Sequence, residues 1–351
     1  MPELPHLPLP ENPRILLVRL SALGDVVFAL PALRALRKML PTARLEWLTE
    51  DRHEGLLTEH PDLDALHVFP RRSGLAASIK ALRSLRDTGP FDAILDFQGN
   101  FKSALHLLPL SGARKIGFGS STAREMAHLF VRERVPVPGR QHRTQRDFQL
   151  VKQLARGAGM PPPVLAPQND GGPWPILCDS PKEISSDSES PLVLLHSGFT
   201  HYGRDKAWPK HSWVELALEL ADRGLDVQLL HTPSDLEVVS GIANSTGGAA
   251  KLAPPTPGLP ELMSLCDQAQ LLIGTDSGPL HLAAWRGTPS LGLYGPTDPV
   301  VYGPIGARAK WVSSLRDEEV PPPRKRDHRS PLMDALQPEK VIEAASSLLG
   351  N

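Results

Sequence analysis

Three short turns in the 351-residue chain gather residue types that bind anions or move protons. The first is Ser21-Ala-Leu-Gly-Asp25, between the apolar run Ile15–Leu20 and apolar positions at helical spacing, Val27, Leu30, Leu33 and Leu36. Gly24 permits a tight turn. Asp25 stands at or near a helix start, where a carboxylate either caps the helix or, facing a ligand, takes a proton as a general base. The second turn is Gly274-Thr-Asp-Ser-Gly-Pro-Leu-His281. Pro279 suits the first helical position, which leaves Ser277 and Gly278 beside the unpaired N–H groups of a helix start. There the helix dipole favours a phosphate, and the hydroxyls of Thr275 and Ser277 can donate to it. A capped helix is the plainer reading of this stretch; the concentration of Gly, Thr, Asp and Ser favours a site. The third turn is His196-Ser-Gly198, followed by Arg204-Asp-Lys-Ala-Trp-Pro209. Lys206 is either a point charge able to neutralise a diphosphate or a solvated surface lysine.

Several other chemistries are excluded. Neither Gly-x-x-x-x-Gly-Lys-Ser/Thr nor Gly-x-Gly-x-x-Gly occurs, which argues against a P-loop ATPase and a standard NAD enzyme. Ser277 with His281 as base would suggest a hydrolase. However, Ser277 sits in Gly-x-x-Ser-Gly rather than the Gly-x-Ser-x-Gly elbow. The two cysteines, Cys178 and Cys266, form no Cys-x-x-Cys pair, and no His-Glu-x-x-His occurs. No metal site or disulfide framework is therefore expected, and a reducing, cytoplasmic compartment fits. No run approaches the roughly 18 apolar residues of a membrane-spanning helix. The N-terminal Met1–Pro10, with four prolines and no basic leader, reads as a disordered lead-in rather than a signal peptide.

The elements that must hold these turns alternate along the chain. After the first turn, strands are predicted at Leu45–Leu48, Ala65–Phe69 and Ala93–Asp96. Helices are predicted at Glu54–His60, Ala76–Arg86 and about Lys102–Leu108, with a closing helix at Arg143–Ala155. Residues 157–191 are rich in proline and serine and read as a linker. The alternation then restarts, with strands at Leu192–His196, Val227–Leu230, Leu271–Ile273 and Ser290–Tyr294. Helices fall at Lys210–Arg223, Asp235–Asn244, Leu262–Cys266 and Pro279–Arg286, then a charged loop at 316–331 and a last helix at Pro338–Leu349. Such alternation implies βαβ units and parallel sheets, whose ligands bind outside the carboxyl ends of the strands. The expected division is a lead-in 1–12, a first α/β domain 13–160, a linker 161–191, a second α/β domain 192–335 and a C-terminal helix 336–351.

Net charge separates the two halves. The total is −1, with 38 Lys+Arg against 39 Asp+Glu, which disfavours a nucleic-acid partner. Residues 1–170 hold 23 basic and 17 acidic residues, or +6, and residues 171–351 hold 15 and 22, or −7. Residues 114–156 alone carry ten Lys/Arg against three acids. This is either a solvated basic face or a surface that steers an anionic partner.

The first two turns resemble glycosyltransferase family 9, the lipopolysaccharide heptosyltransferases, when taken in order and spacing with Asp96-Phe-Gln-Gly-Asn-Phe-Lys-Ser103, Lys206-Ala-Trp-Pro209 and Leu293-Tyr-Gly-Pro-Thr-Asp298. The resemblance extends from Arg14 to Leu349. It implies a GT-B fold: two Rossmann-like parallel-sheet domains facing across a cleft, the last helix packing back on the N-terminal domain. It also implies an inverting glycosyltransferase that moves a heptose or related sugar from ADP-heptose, a donor substrate with no further cofactor, to a lipopolysaccharide inner core or another cell-surface glycan. By this resemblance Asp25 matches the catalytic base. Lys206, Thr275, Asp276, Ser277, Gly278 and His281, with Ser197 and Glu237, are expected on the donor. Either Asp235 or Glu237 of Thr232-Pro-Ser-Asp-Leu-Glu237 would contact the ribose. Gly24, Lys102 and Arg143 are expected on the acceptor, an anionic lipid-linked glycan at the inner membrane face. A nucleotide-sugar epimerase or hydrolase, or a non-catalytic sugar-nucleotide-binding protein, is the alternative.

Overall fold

The computed structural model describes residues 7–71, 73–164, 190–198, 201–316, 318–324 and 328–350. Most of the expected linker, the start of the lead-in, and Cys178 lie outside them. The chain divides into two compact units, Met1–Leu165 and Ala166–Asn351.

The first unit runs β1 (Arg14–Val18), α1 (Leu23–Met39), β2 (Arg44–Glu50), α2 (Glu54–Leu57), β3 (Ala65–Phe69), α3 (Gly74–Asp87), β4 (Phe91–Asp96), α4 (Phe101–Leu107), β5 (Gly112–Phe118), β6 (Glu133–Val135) and α5 (Arg143–Gly157). Its six strands form one parallel sheet in the order β3-β2-β1-β4-β5-β6. The central β1 is an unbroken apolar run, Ile15-Leu-Leu-Val18, with every one of these side chains buried. That is the signature of a strand covered on both faces. Leu16, Val18, Ile94 and Phe91 meet Leu85 and Leu107 from the neighbouring helices in one apolar cluster.

The second unit repeats the plan with β7 (Leu192–His196), α6 (Lys210–Asp222), β8 (Asp226–Leu229), α7 (Leu236–Ser245), β9 (Ala250–Leu252), α8 (Leu259–Gln268), β10 (Leu271–Thr275), α9 (Gly278–Trp285), β11 (Ser290–Tyr294), α10 (Pro299–Tyr302), β12 (Ala309–Ser313), α11 (Pro331–Asp334) and α12 (Pro338–Leu349). Its parallel sheet has the order β12-β11-β10-β7-β8-β9. Counted within each unit, both sheets therefore read 3-2-1-4-5-6. In each, the chain reverses direction of growth between its first and fourth strands, β1/β4 and β7/β10. Beyond the carboxyl ends of such a strand pair the loops diverge and open a crevice.

Four strands were not expected from the sequence: β5, β6, β9 and β12. Two have three residues each, and β5 and β12 carry Arg114, Lys115 or Lys310 within the strand. Short or charged strands toward a sheet edge lack the apolar run that marks β1. The last helix is built into the second unit: Val341, Ala345 and Leu348 of α12 are buried in that unit's core with Trp213, Leu216 and Leu291. The apolar stripe of α12 is thus taken up by its own sheet and by α6.

The basic stretch 114–156 is partly internal. Arg114 makes a bidentate pair with Glu133, Nε and Nη2 each 2.6 Å from a carboxylate oxygen, and donates from Nη1 to Leu154 O at 3.0 Å. Lys115 Nζ donates to Leu107 O at 2.8 Å. Arg143 and Arg146 are buried. These four cations are not part of an open steering face.

Candidate active site

In the first unit the β1/β4 pair holds a carboxylate among arginines. The turn after β1 is short, so α1 begins at Leu23 and Asp25 is its third residue. Asp25 Oδ1 is 2.8 Å from Arg19 Nη2 and 2.8 Å from Arg143 Nη2, the first residue of α5. Arg19 is fully buried at the end of β1 and also donates from Nη1 to Phe97 O. Burial works to raise the Asp25 carboxyl. The Arg19, Arg143 and Arg146 guanidiniums outweigh it and hold the carboxyl well below the usual carboxylate range. The side chain keeps 27% of its surface exposed, so the ionised group is both fixed and reachable. Its contact with the helix cap is slight, with Ala22 N 3.5 Å from Oδ2. The arginines, rather than a capping bond, dominate its surroundings. Burial pushes Arg146 down to about 10; its guanidinium lies 4.3 Å from the Phe118 ring centroid and 3.2 Å from Asp147.

The loop that delivers Asp25 is held from β4. Gln98 Oε1 accepts from Leu20 N at 3.1 Å and Ser21 N at 3.2 Å. Asp96 Oδ1 in turn accepts from Gln98 N and Gly99 N at 3.0 and 3.1 Å, and Oδ2 from Ser103 Oγ at 2.9 Å. Burial pushes the Asp96 carboxyl up to about 6 against these three bonds.

Of the residues expected on an acceptor, Arg143 has one guanidinium nitrogen on Asp25. Lys102 is bound to the buried Glu50, which Arg52 also contacts at 2.9 Å and Arg71 at 3.3 Å. Gly24 is buried inside the first turn of α1 rather than in the preceding loop.

In the second unit the β7/β10 pair gathers the residues expected on the donor. Gly274 of β10 lies opposite His196 of β7, and the chain beyond each strand crosses the same end of the sheet. Lys206 Nζ donates to Asp276 O at 2.5 Å and to Asp276 Oδ2 at 3.0 Å. His281 Nε2 lies 3.0 Å from the other carboxylate oxygen. Burial alone would raise the Asp276 carboxyl, but Lys206 and His281 hold it well below the usual range. Ser277 is the N-cap of α9, yet its hydroxyl makes no cap and meets His196 Nδ1 at 3.0 Å. Burial pushes His196 down to about 4, so this imidazole is neutral at pH 7 and acts by hydrogen bonding. Gly278 and Pro279 open α9. Its first-turn N–H groups lie outside the helical ladder, where an anion is favoured. Thr275 is buried at the end of β10.

Lys206 is positioned from a segment that composition marks only as a charged loop. Arg324 grips the buried Asp205 through Nε and Nη2 at 2.5 and 2.7 Å, and Ser330 N donates to Asp205 O at 3.2 Å. The two acids left open between β8 and α7 also separate. Asp235 accepts from Thr232 N and Oγ1 at 2.6 and 2.8 Å. It lies so close over Gly198 that an added Cβ there would be 2.0 Å from its carboxylate. Glu237 is exposed on the first turn of α7. Ser197 is buried on the α6–α7 side rather than beside Ser277. Sequence reasoning named the turn that His196 opens but gave that residue no role, and it missed Arg19, Arg146 and Gln98 as parts of these clusters. Their only signal was position, at or just beyond the end of a central strand or at the start of α5. Among the described residues no group of three or more His, Cys, Asp or Glu side chains is gathered as for a metal ion.

This fold recurs in solved glycosyltransferases. The structure of E. coli heptosyltransferase WaaC with ADP matches it with a TM-score of 0.72 and 24% identity over 95% of this chain and 99% of that one. A family 9 glycosyl transferase of Veillonella parvula matches with a TM-score of 0.75 and 21% identity, over 96% and 97% of the two chains. The chain belongs to glycosyltransferase family 9 (heptosyltransferase), whose model matches residues 78–332. Among its relatives, lipopolysaccharide heptosyltransferase 1 of E. coli K12 is 29% identical over 305 residues, 84% of this chain and 91% of that protein. The lipopolysaccharide core heptosyltransferase OpsX of Haemophilus influenzae is 26% identical over 306 residues, 86% and 85% of the two. Membership of this family favours a transferase over an epimerase, a hydrolase or a non-catalytic binder.

Proposed function

We propose that the chain transfers a heptose, with inversion, from ADP-heptose to the inner core of lipopolysaccharide. The Lys206–Asp276–His281 cluster beside the start of α9 carries this reading, because it sets a cation and helix N–H groups at one strand-end crevice. The relatives are lipopolysaccharide heptosyltransferases by name, and the solved WaaC structures hold ADP and ADP-2-deoxy-2-fluoro heptose.

Each unit has its share of the reaction. In the second, Lys206 and the α9 start take the diphosphate, His196 orients the Ser277 hydroxyl, and Asp235 is the acid placed for the ribose, in preference to Glu237. As the anomeric carbon–oxygen bond to phosphate breaks, charge grows on the leaving ADP. Preorganised donors of this kind are worth about 3–4 kcal/mol each. In the first unit, Asp25 accepts the proton of the attacking acceptor hydroxyl. Its low basicity suits a proton that transfers only as the new glycosidic bond forms and the hydroxyl becomes acidic. Arg19 and Arg143 keep the carboxylate ionised and aimed. The acceptor is an anionic lipid-linked glycan. No helix among the described residues is long and apolar enough to cross a membrane, and we place the enzyme on the cytoplasmic side, peripheral to the inner membrane. The test is ADP release from ADP-heptose with and without a deacylated inner-core acceptor. Release that requires the acceptor and yields the glycosylated product is expected. Equal release without acceptor would make the chain a hydrolase and overturn the reading.

A further inference from the structure

Consecutive side chains at the end of a strand project to opposite faces of the sheet. His196 reaches Ser277 before α9, while Ser197 lines a cavity of about 460 Å3 beside α6 and α7. That volume falls within the range of small-molecule sites. Trp208, Val238 and Ile242 make its walls apolar, and Arg204, Lys210 and Arg329 bring cations to it. Two further lining side chains, Ser197 and Trp213, are 4% and 1% exposed. Ser197 Oγ and Trp213 Nε1 have no hydrogen-bond partner among the described residues. Native interiors rarely leave such groups unpaired. The neighbouring Trp208 shows the ordinary solution, its Nε1 donating to Leu336 O at 2.8 Å. Lys210 opens α6, whose N-cap, Pro209, offers no capping side chain, so that turn adds uncapped N–H groups. Arg329 has a carboxylate partner, Asp334, at 2.8 Å. No carboxylate lies among the described lining residues, although this half of the chain carries the net −7 charge. The groups that converge are donors and cations over an apolar wall.

We propose that this cavity is a ligand site separate from the turn before α9, built for a small organic phosphate. The phosphate sits at Lys210, Arg204 and the start of α6, with Ser197 and Trp213 donating to it or to the ester oxygen. The apolar body lies against Trp208, Val238 and Ile242. The proposal goes beyond the transfer reaction and does not depend on it.

Phenyl phosphate is a direct probe, titrated into the full-length chain by calorimetry and by quenching of tryptophan fluorescence. Its affinity is expected to be unchanged by saturating ADP. Lys210→Ala and Arg204→Ala, both at exposed positions, are each expected to weaken it by about tenfold while leaving the thermal midpoint intact. Inorganic phosphate and benzyl alcohol should each bind at least about tenfold more weakly, since each lacks half of the match. Three results would overturn the proposal. One is no binding up to about 10 mM, which corresponds to negligible affinity. Another is displacement by ADP, which would make the cavity an arm of the nucleotide site. The third is an affinity in both variants equal to that of the unsubstituted chain.

Discussion

Replacing Lys206 with methionine should destabilise the second unit by about 2–3 kcal/mol at pH 7, before any ligand is considered. Lys206 Nζ contacts Asp276 twice, at 2.5 and 3.0 Å. Removing one partner of a buried ion pair leaves the other charge uncompensated, at about 3–5 kcal/mol. Two features lower that figure here. The paired side chains retain 20% and 11% exposure, and His281 still meets the other Asp276 oxygen at 3.0 Å. Asp276→Asn alone should cost less, about 1 kcal/mol, because the freed lysine can swing into water. The double variant should then cost less than the sum by about 1–2 kcal/mol. Urea unfolding followed by tryptophan fluorescence reads all four corners of this cycle. The pH dependence provides a second check. The Asp276 carboxyl is lowered in the folded chain from 3.8. A depressed folded value contributes stability that is present above the unfolded value and lost as pH falls through the folded one. The coupling should therefore be complete at pH 7 and fade below about pH 4. Strict additivity at pH 7, or coupling that grows on acidification, would refute the pairing and with it the resting position of Lys206.

Asp25→Asn should lower kcat by about 10²–10⁴-fold while ADP affinity, measured by calorimetry, stays within about threefold; near-normal turnover would remove Asp25 from the proton transfer. Because its arginines hold Asp25 ionised, kcat should show no acid limb from this group above about pH 5, and a limb that Asp25→Asn abolishes would contradict the lowered carboxyl. Asp96 has the opposite sign: its carboxyl rises from 3.8 to about 6 on folding, so it contributes stability at low pH that is lost as pH rises through about 6. Asp96→Asn keeps an oxygen for Gln98 N and Gly99 N. It should remove that decline, about 3 kcal/mol in all, of which roughly half falls between pH 5 and pH 8 and is seen as a gain in thermal midpoint at pH 8 relative to pH 5. Gly198→Ala drives a methyl into the Asp235 carboxylate and should weaken ADP binding by about tenfold or more with the fold intact; unchanged affinity would remove Asp235 from the site.

Much of the fold is legible in the residue pattern. The runs Ile15-Leu-Leu-Val18 and Leu271-Leu-Ile273 are buried strands, and the apolar spacing after Asp25 is the buried face of α1. The two-unit alternation follows from such patterns, because burial on both sheet faces demands apolar runs. Edge strands such as β9 (Ala250–Leu252) and β6 (Glu133–Val135) escaped, since their stability comes from pairing with a neighbour rather than from their own composition. Arginine count shows the same limit. Arg114, Arg143 and Arg146 read as surface charge in the sequence, but a carboxylate lies within 3.2 Å of each.

By itself the sequence determined the chemical vocabulary at each strand end: a carboxylate after β1, a lysine after β7, and a Thr-Asp-Ser-Gly turn after β10. Local rules cover that much, since a strand followed by a Gly-containing turn and a helix start is a short-range pattern. Only the tertiary structure decided which of these groups meet. Lys206 finds Asp276 across 70 residues, Arg143 finds Asp25 across 118, and Arg324 anchors Asp205 across 119. The 3-2-1-4-5-6 strand order makes β1 neighbour β4 and β7 neighbour β10. Within each unit, side chains distant in sequence are thus brought together, and their charges set each other's protonation through distances that no sequence pattern specifies.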